Sequence, residues 1–412
     1  MGFNFDITAA QNIIKVRYTD KKVETLAYKD PLVGMMPKDE DQGGLNYTGA
    51  IRSAIASSIS PSDTTAFTTG SASVYNQWIC QWKTLFGSAN ITGAAIDRAK
   101  GDANTLIDGM TGEFDGLFIG LGMVLGTWAY GNGGGSIGQI SAGSNVGTAT
   151  ITLANPSQAV NFWQGQILQT SVDDGTGGAG VDTGGNGYVT VAKVDPVLGT
   201  ITATGNWNAG ITGTAASHYI FLNGGYNGAF PGLAGWLPDV NHRPGGADSF
   251  NGVNRSVDGR LAGAYYQGNG NPFSESLIQL AIYIGRYSGA PDVGFVNWLD
   301  FASILKEQQG HVVIATESAF KSPQIGFKGV TLMAPTGEIK IFPSTFCPQG
   351  TGYLLTKDTW LMPSAGKVPR VFSDDGNTWL RASGSDAFQL RGGTRAVTTY
   401  CSDPAKNGVV TF

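Results

Sequence analysis

Charge is scarce in this sequence. Asp, Glu, Lys and Arg make up 14% of its 412 residues, against about 25% in ordinary soluble domains. No basic run is present and the net charge is −5. That excludes a dedicated nucleic-acid binder, because holding phosphates requires clustered Lys and Arg. Cysteine is scarcer still. Cys80, Cys347 and Cys401 are far apart and odd in number, so neither a disulfide framework nor a zinc site is encoded, and they read as small buried apolar residues. The three histidines, His218, His242 and His311, stand 24 and 69 residues apart without the spacing of a metal site. The longest uncharged, largely apolar run, 116–130, has 15 residues, short of the ~20 that a bilayer span requires. Met1-Gly2-Phe3-Asn4-Phe5-Asp6 lacks the charged and apolar regions of a signal peptide, and Asp6 stands where myristoylation wants Ser or Thr. A soluble protein made inside a cell is expected.

Glycine, by contrast, is abundant, at 61 of 412 residues, about twice the usual share. No Gly-X-Y period runs through it, which excludes collagen, and 41% hydrophobic residues exclude disorder. The glycine is unevenly spread. Residues 131–230 hold 22 of the 61 glycines and only five charges, Asp173, Asp174, Asp182, Lys193 and Asp195. Runs of β-rich composition at 148–153, 166–172, 188–194, 200–204 and 218–222, separated by turn formers, predict a small all-β barrel or sandwich. Its texture makes it look inserted between dissimilar flanks.

The remainder divides by composition. Residues 1–42 carry mixed charges, including Lys29 and Lys38, and read as an exposed arm. Residues 43–82 are rich in Ser, Thr and Ala, with Arg52 and Asp63 as their only charges. They predict a long hairpin, turning near Ser60-Pro61-Ser62-Asp63, with little core of its own. Such a hairpin is marginal in water and needs a surface to lie on. Residues 92–131 read as helix, with Thr92 expected to cap it and Ile107, Met110, Phe114, Phe118, Leu121, Val124 and Leu125 at three- and four-residue steps. Gly116, Gly120 and Gly122 suit close packing against its backbone. Two further helices are expected at 274–285 and 297–308, with a strand at 292–296 between them. Strands and turns follow from 326 to the end.

Motifs of chemistry appear only out of context. Gly133-Gly134-Gly135-Ser136-Ile137-Gly138 spells both GxGxxG and GxSxG. Both need a strand before and a helix after, whereas here a helix precedes and β structure follows. Gly177-Gly178-Ala179-Gly180-Val181-Asp182 begins like a calcium-binding nonapeptide but occurs once, and such repeats bind only in arrays. The isolated pair Asp173-Asp174 reads as a turn. No catalytic residue, cofactor or metal is assigned.

Taken in order, these segments resemble the major capsid proteins of tailed bacteriophages, with the Hong Kong 97-type shell fold. Tyr28-Lys29-Asp30-Pro31-Leu32-Val33-Gly34-Met35-Met36-Pro37-Lys38 resembles the family's arm. Lys83-Thr84-Leu85-Phe86-Gly87, Ile91-Thr92 and Ile96-Asp97-Arg98-Ala99 resemble the approach to its spine helix. The helix end, Leu125-Gly126-Thr127-Trp128-Ala129-Tyr130-Gly131-Asn132-Gly133, is similar too, as are Gly232-Leu233-Ala234-Gly235-Trp236-Leu237-Pro238 and Phe250-Asn251-Gly252-Val253-Asn254-Arg255-Ser256-Val257-Asp258. Later matches are Phe346-Cys347-Pro348 with Tyr353-Leu354-Leu355 and Trp360, and finally Asp386-Ala387-Phe388-Gln389-Leu390-Arg391. The likeness covers most of the chain outside about 135–228.

The resemblance implies an α+β fold with a β insertion. Its parts would be an N-terminal arm (1–42), an extended loop or E-loop (43–82), a P-domain with the spine helix (83–134), an inserted β domain (135–228), an A-domain (229–355), and P-domain strands with a C-terminal return (356–412). It implies a shell subunit that pairs with itself in hexamers and pentamers inside a virion, assembles in the host cytoplasm, and encloses double-stranded DNA without reading it. Scaffolding, portal and decoration proteins are implied as partners, and a membrane is not. The arm begins almost at Met1, so a separate scaffolding protein is expected. Residues 43–82 contain no lysine, which argues against the lysine cross-link some members form. Candidate inter-subunit contacts are Lys29, Lys38, Tyr47, Arg52, Asp63 and Phe67. Candidate fold-signature positions are Trp128, Tyr130, Trp236, Arg255, Asp258, Asp386 and Arg391. Two other readings compete: a nanocompartment shell of the encapsulin type, and an adhesive glycan-binding protein using Trp163, Tyr188, Trp207 and Tyr219. The β domain is expected to make contacts within the shell.

Overall fold

The computed structural model describes residues 30–55, 59–68, 70, 72–93, 103–245, 249–308, 330–373, 376–381 and 386–412. The fold is α+β.

The expected hairpin is present. Strand Asn46–Ala54 pairs antiparallel with Val74–Gln81, with a short helix, Asp63–Thr68, in the connection. Side chains alternate across a strand, which gives the hairpin two different faces. Tyr47, Gly49 and Ile51, opposite Cys80, Trp78 and Asn76, face inward. Thr48, Ala50 and Arg52, opposite Ile79, Gln77 and Tyr75, face solvent. The inward face corrects the expectation of a hairpin without a core. Trp78 and Cys80 are fully buried in the main hydrophobic cluster. The Trp78 ring meets Trp236 edge-on at 5.1 Å, and the Ile79 N–H donates to the Asn251 carbonyl. Only the distal part stands clear of the body.

The chain continues into strand Lys83–Thr92, which pairs with Ala387–Val397 along nearly its whole length. Thr92 is the last residue of this strand and Gly93 the first helical one. The long helix runs Ala103–Tyr130, about 42 Å at 1.5 Å per residue. Phe114, Phe118 and Leu121 pack with Ala89, Leu390 and Trp379 of this sheet. Val124, Leu125, Trp128 and Tyr130 enter the main cluster, which also holds Phe230, Trp236, Phe295 and Phe342. Of the helix glycines, Gly126 carries the close packing: a Cβ there would lie 2.6 Å from the Phe346 ring. Among the described residues, a Cβ on Gly116 would meet nothing within 4 Å, and on Gly120 only Trp163 at 3.9 Å, so the described residues do not supply the expected packing at those two positions.

After the helix, Gly133 and Gly135 take positive φ and turn the chain into the β domain. Its six main strands are ordered Ser136–Gln139, Tyr219–Leu222, Ile167–Ser171, Val189–Asp195, Thr200–Ala203 and Thr150–Thr152. The sheet then closes on itself. Ile140 bridges Leu153, the Ser141 N–H donates to the Thr152 carbonyl, and the Ala154 N–H donates to the Gln139 carbonyl. It is a closed barrel, filled by Ile137, Ile151, Leu168, Val191, Ile201 and Trp207 among others. Closure removes exposed strand edges, so a charge-poor domain needs no edge charges to prevent pairing. Five of its six strands were readable; Ser136–Gln139, masked by the glycine run, was not.

The last unit is a six-stranded mixed sheet, ordered Ala264–Gln267, Gly408–Thr411, Thr351–Leu355, Val293–Asn297, Gly337–Ser344 and Val330–Ala334. Helices Phe273–Gly285 and Trp298–Gln308 contribute Leu277, Leu280, Ile284, Phe301 and Ile304 to its core. Both helices fall within a residue of expectation. Val293–Asn297 pairs on both sides and is buried throughout, as a central strand must be. A small sheet of Lys38–Asp39, Trp360–Pro363 and Tyr400–Cys401 joins the start of the described chain to its end.

Candidate inter-subunit surfaces

The six contact candidates separate into three kinds. Lys29 lies outside the described residues. Lys38 and Tyr47 are half-buried and make contacts within the subunit. Lys38 sits in a parallel pair beside Met362, half-buried. The Tyr47 ring packs edge-on against Tyr400 at 5.1 Å and Trp82 at 6.3 Å. Burial, with a smaller push from Asp39, raises its hydroxyl pKa. Arg52, Asp63 and Phe67 are exposed. Phe67 is 86% exposed on the short helix of the connection, and Ile55, Ile59, Val74 and Tyr75 are also exposed in the hairpin. Asp63 accepts from the N–H and hydroxyl of its neighbour Thr64.

Most fold-signature positions organise the main core. Trp128, Tyr130 and Trp236 are buried there. Arg255 is buried too. Its guanidinium donates to the Gly235 carbonyl at 2.8 Å and lies 4.1 Å from the centre of the Phe250 ring, which itself packs edge-on against Trp236 at 5.1 Å. Asp258 caps the turn Gly259–Ala262 and chelates Arg260 at 2.5–3.0 Å. That pair holds the Asp258 carboxyl below its usual range. At the long strand, the Asp386 carbonyl accepts from the Gly93 N–H. Arg391 is exposed and donates to Gln389.

The sequence reading gave no individual role to two further residues. Asp30 is buried, accepts from the N–H groups of Leu32 and Val33 and from the Ser344 hydroxyl, and so fastens the helix Pro31–Met35 to the central sheet. Burial raises its pKa to about 6. The signal was present, since Asp before Pro is a helix N-cap pattern. Phe86 is 62% exposed on the solvent face of the long strand. It pairs with Gly393, which has no side chain, and Phe372 stands 5.8 Å away. Together with Leu380, Arg391 and Arg395 they frame a groove of about 570 Å³. Only the cross-strand register could have disclosed it.

The barrel is braced against the long helix. The Asn132 side chain donates to Asp174 at 2.5 Å and accepts from the Gly134 N–H. Gly134 and Gly175 touch so closely that a Cβ on either would strike the other segment's backbone at about 2 Å. The Lys83 ammonium donates to the Asn227 carbonyl at 2.7 Å, and burial lowers its pKa. A cleft of about 610 Å³ remains between barrel and body, lined among others by Asn161, Asp174, Tyr219 and Arg255.

The remaining motifs resolve as structure. The glycine run does lead from helix to strand. Burial pushes the Asp173 carboxyl up, but bonds from Ala179 N–H, Tyr226 hydroxyl and Gly175 N–H outweigh it and hold it below its usual range; it organises a turn. His218 binds Asp182 and His242 binds Asp239, while His311 lies outside the described residues. Among the described residues no three His, Cys, Asp or Glu side chains cluster to hold a metal, and no helix is long and apolar enough to cross a membrane. The glycan platform loses its centre, because Trp207 is fully buried with its indole N–H donating to the Ala149 carbonyl.

No family model and no curated protein matches the sequence. Among solved structures, the chain is similar to the cyanophage A-1(L) capsid asymmetric unit at 12% identity, covering 93% of this chain and 92% of that one, with a TM-score of 0.49. It is similar to the capsid of an empty GTA particle at 9% identity, covering 92% and 89%, with a TM-score of 0.43. It is also similar to the holo-SrpI encapsulin complex from Synechococcus elongatus PCC 7942 at 10% identity, covering 99% and 96%, with a TM-score of 0.43. The solved structures it resembles along most of its length are thus a phage capsid, a GTA-particle capsid and an encapsulin.

Proposed function

We propose that this chain is the major capsid protein of a tailed phage, with the Hong Kong 97-type fold, and that it self-assembles as hexamers and pentamers into an icosahedral shell around double-stranded DNA. One observation carries the reading beyond the sequence resemblance. The hairpin is rigidly seated at its base, yet its distal part holds Ile55, Ile59, Phe67, Val74 and Tyr75 in water with Arg52 and Asp63 as the hairpin's only charges. Large apolar side chains exposed together along one segment mark an interaction site, and interface cores are poor in charge. The role is structural. Shell building takes place in the host cytoplasm, with scaffolding, portal and decoration proteins as partners, and the DNA is enclosed without sequence reading. The barrel makes contacts within the shell.

Electron microscopy of the purified full chain tests this. Closed icosahedral particles with five- and six-fold capsomers are expected. A chain that stays monomeric at high concentration overturns the reading. Uniform shells from the pure protein would remove the separate scaffolding protein while leaving the rest.

A further inference from the structure

Seven Asn-Gly pairs occur in this sequence. Asparagine is thermolabile, and a following glycine leaves its backbone nitrogen unshielded by any side chain. Reaction between the two needs an asparagine side chain free to swing toward that nitrogen, and a nitrogen not engaged as a hydrogen-bond donor. Six pairs lack one of these freedoms. Three glycine N–H groups are engaged: Gly187 with the Gly184 carbonyl, Gly228 with the Gly225 carbonyl, and Gly224 with the Gln169 side chain at 2.8 Å. Three asparagine side chains are held. Asn132 ties Asp174 to Gly134, Asn251 donates to the Cys80 sulfur at 3.6 Å, and Asn407 is buried among bonds to Thr356, Thr359 and Trp360.

Asn269-Gly270 has both freedoms. The two residues are exposed at the centre of a four-residue turn, closed by the Asn271 N–H on the Gly268 carbonyl at 3.0 Å. Their φ angles of +50° and +82° are those of a type I′ turn, which Asn and Gly adopt most readily. Among the described residues neither the Asn269 side chain nor the Gly270 N–H has a hydrogen-bond partner. A Cβ on Gly270 would meet nothing within 4 Å, so the surroundings leave room for ring closure.

We infer that Asn269 is a site of spontaneous modification, where the chain loses a side-chain amide and gains a carboxylate. The Gly270 nitrogen gives up its proton and bonds to Asn269 Cγ, and the side-chain nitrogen leaves as ammonia. Water then opens the five-membered imide at either carbonyl. One product is an ordinary aspartate, and the other is an isoaspartate that lengthens the backbone by one methylene. Each event adds one negative charge to a chain of net charge −5, in the turn that leads into the helix Phe273–Gly285. The inference does not depend on the proposed function.

Incubation of the purified full chain at mildly alkaline pH, with samples digested by trypsin over time, tests it. Cleavage after Arg260 and Arg286 releases 261–286, in which Asn269-Gly270 is the only Asn-Gly pair. Mass spectrometry with electron-transfer fragmentation locates the change and separates aspartate from isoaspartate. Asn269 is expected to convert first, several-fold faster than Asn251, whose side chain is held by a single long bond. In the chain held unfolded in urea, the seven pairs are expected to convert at similar rates, because the fold no longer ranks them. Gly270→Ala, whose methyl shields the nitrogen, is expected to slow conversion at 269 several-fold and leave the other six rates unchanged. The assignment is overturned by a folded chain in which another pair converts before 269 or 269 keeps its amide. A lead of the same size in urea, or a Gly270→Ala chain that converts as fast as wild type, overturns it equally.

Discussion

At the scale of residues, two kinds of position make opposite demands. Asp30 is a carboxyl group held in the interior, and burial raises its pKa to about 6, above the ordinary 3.8. The unfolded chain therefore releases its proton first as pH rises, and keeping the buried group charged above pH 6 costs up to roughly 3 kcal/mol. The protonated form carries no such cost, so stability from this group is complete only below about pH 3.8 and is lost progressively as pH rises from there through 6. In Asp30→Asn the side-chain oxygen still accepts from Leu32 and Val33, the amide donates to Ser344, and the titration is gone. Denaturant melts of both proteins from pH 4 to 8 are expected to show the variant gaining on wild type as pH rises; a constant difference would refute the assignment. The helix glycines give the second contrast. Gly126→Ala drives a methyl into Phe346 and is expected to lower the melting temperature, by about 1–3 kcal/mol of stability. Gly116→Ala meets open space and is expected to raise it, by up to ~1 kcal/mol of helix propensity.

At the scale of elements, the hairpin is two objects. Its base belongs to the core through Trp78 and Cys80, and its tip belongs to the surface. Trp78→Ala is expected to destabilise the subunit by about 3–5 kcal/mol. Phe67→Ala is expected to leave subunit stability within about 0.5 kcal/mol. Thermal melts of the unassembled chains distinguish them, and equal losses would contradict the division. The period-2 pair Trp78 and Cys80 carried the signal for a buried face, but composition averaged over 43–82 concealed it beneath Ser, Thr and Ala. The helices at Phe273–Gly285 and Trp298–Gln308 and five barrel strands were legible because each has its own apolar period and its own turn formers. Lys83–Thr92 was not, because its alternation is broken by Gly87 and its partner, Ala387–Val397, lies some 300 residues away.

At the scale of the molecule, the barrel is a closed body whose chain enters and leaves side by side, with Ser136 paired to Phe221. Residues 136–221 can therefore be replaced by a short linker. The remaining body is expected to fold, and the shells it forms are expected to disassemble at a lower temperature or denaturant concentration than wild type. Shells of unchanged stability would leave the barrel without a part in shell contacts. The sequence by itself determined what is local. It marked the block that forms a separate β domain, the amphipathic helices, and a hairpin almost without charge, because turn chemistry and hydrophobic period act over a few residues. Only the tertiary structure decided which faces remain bare. It buried Trp207 and Arg255, half-buried Tyr47 against Tyr400, left Phe67 and Phe86 in solvent, and opened a groove opposite Gly393. Those outcomes depend on strand register between distant segments, and register is set by the packing of the whole core.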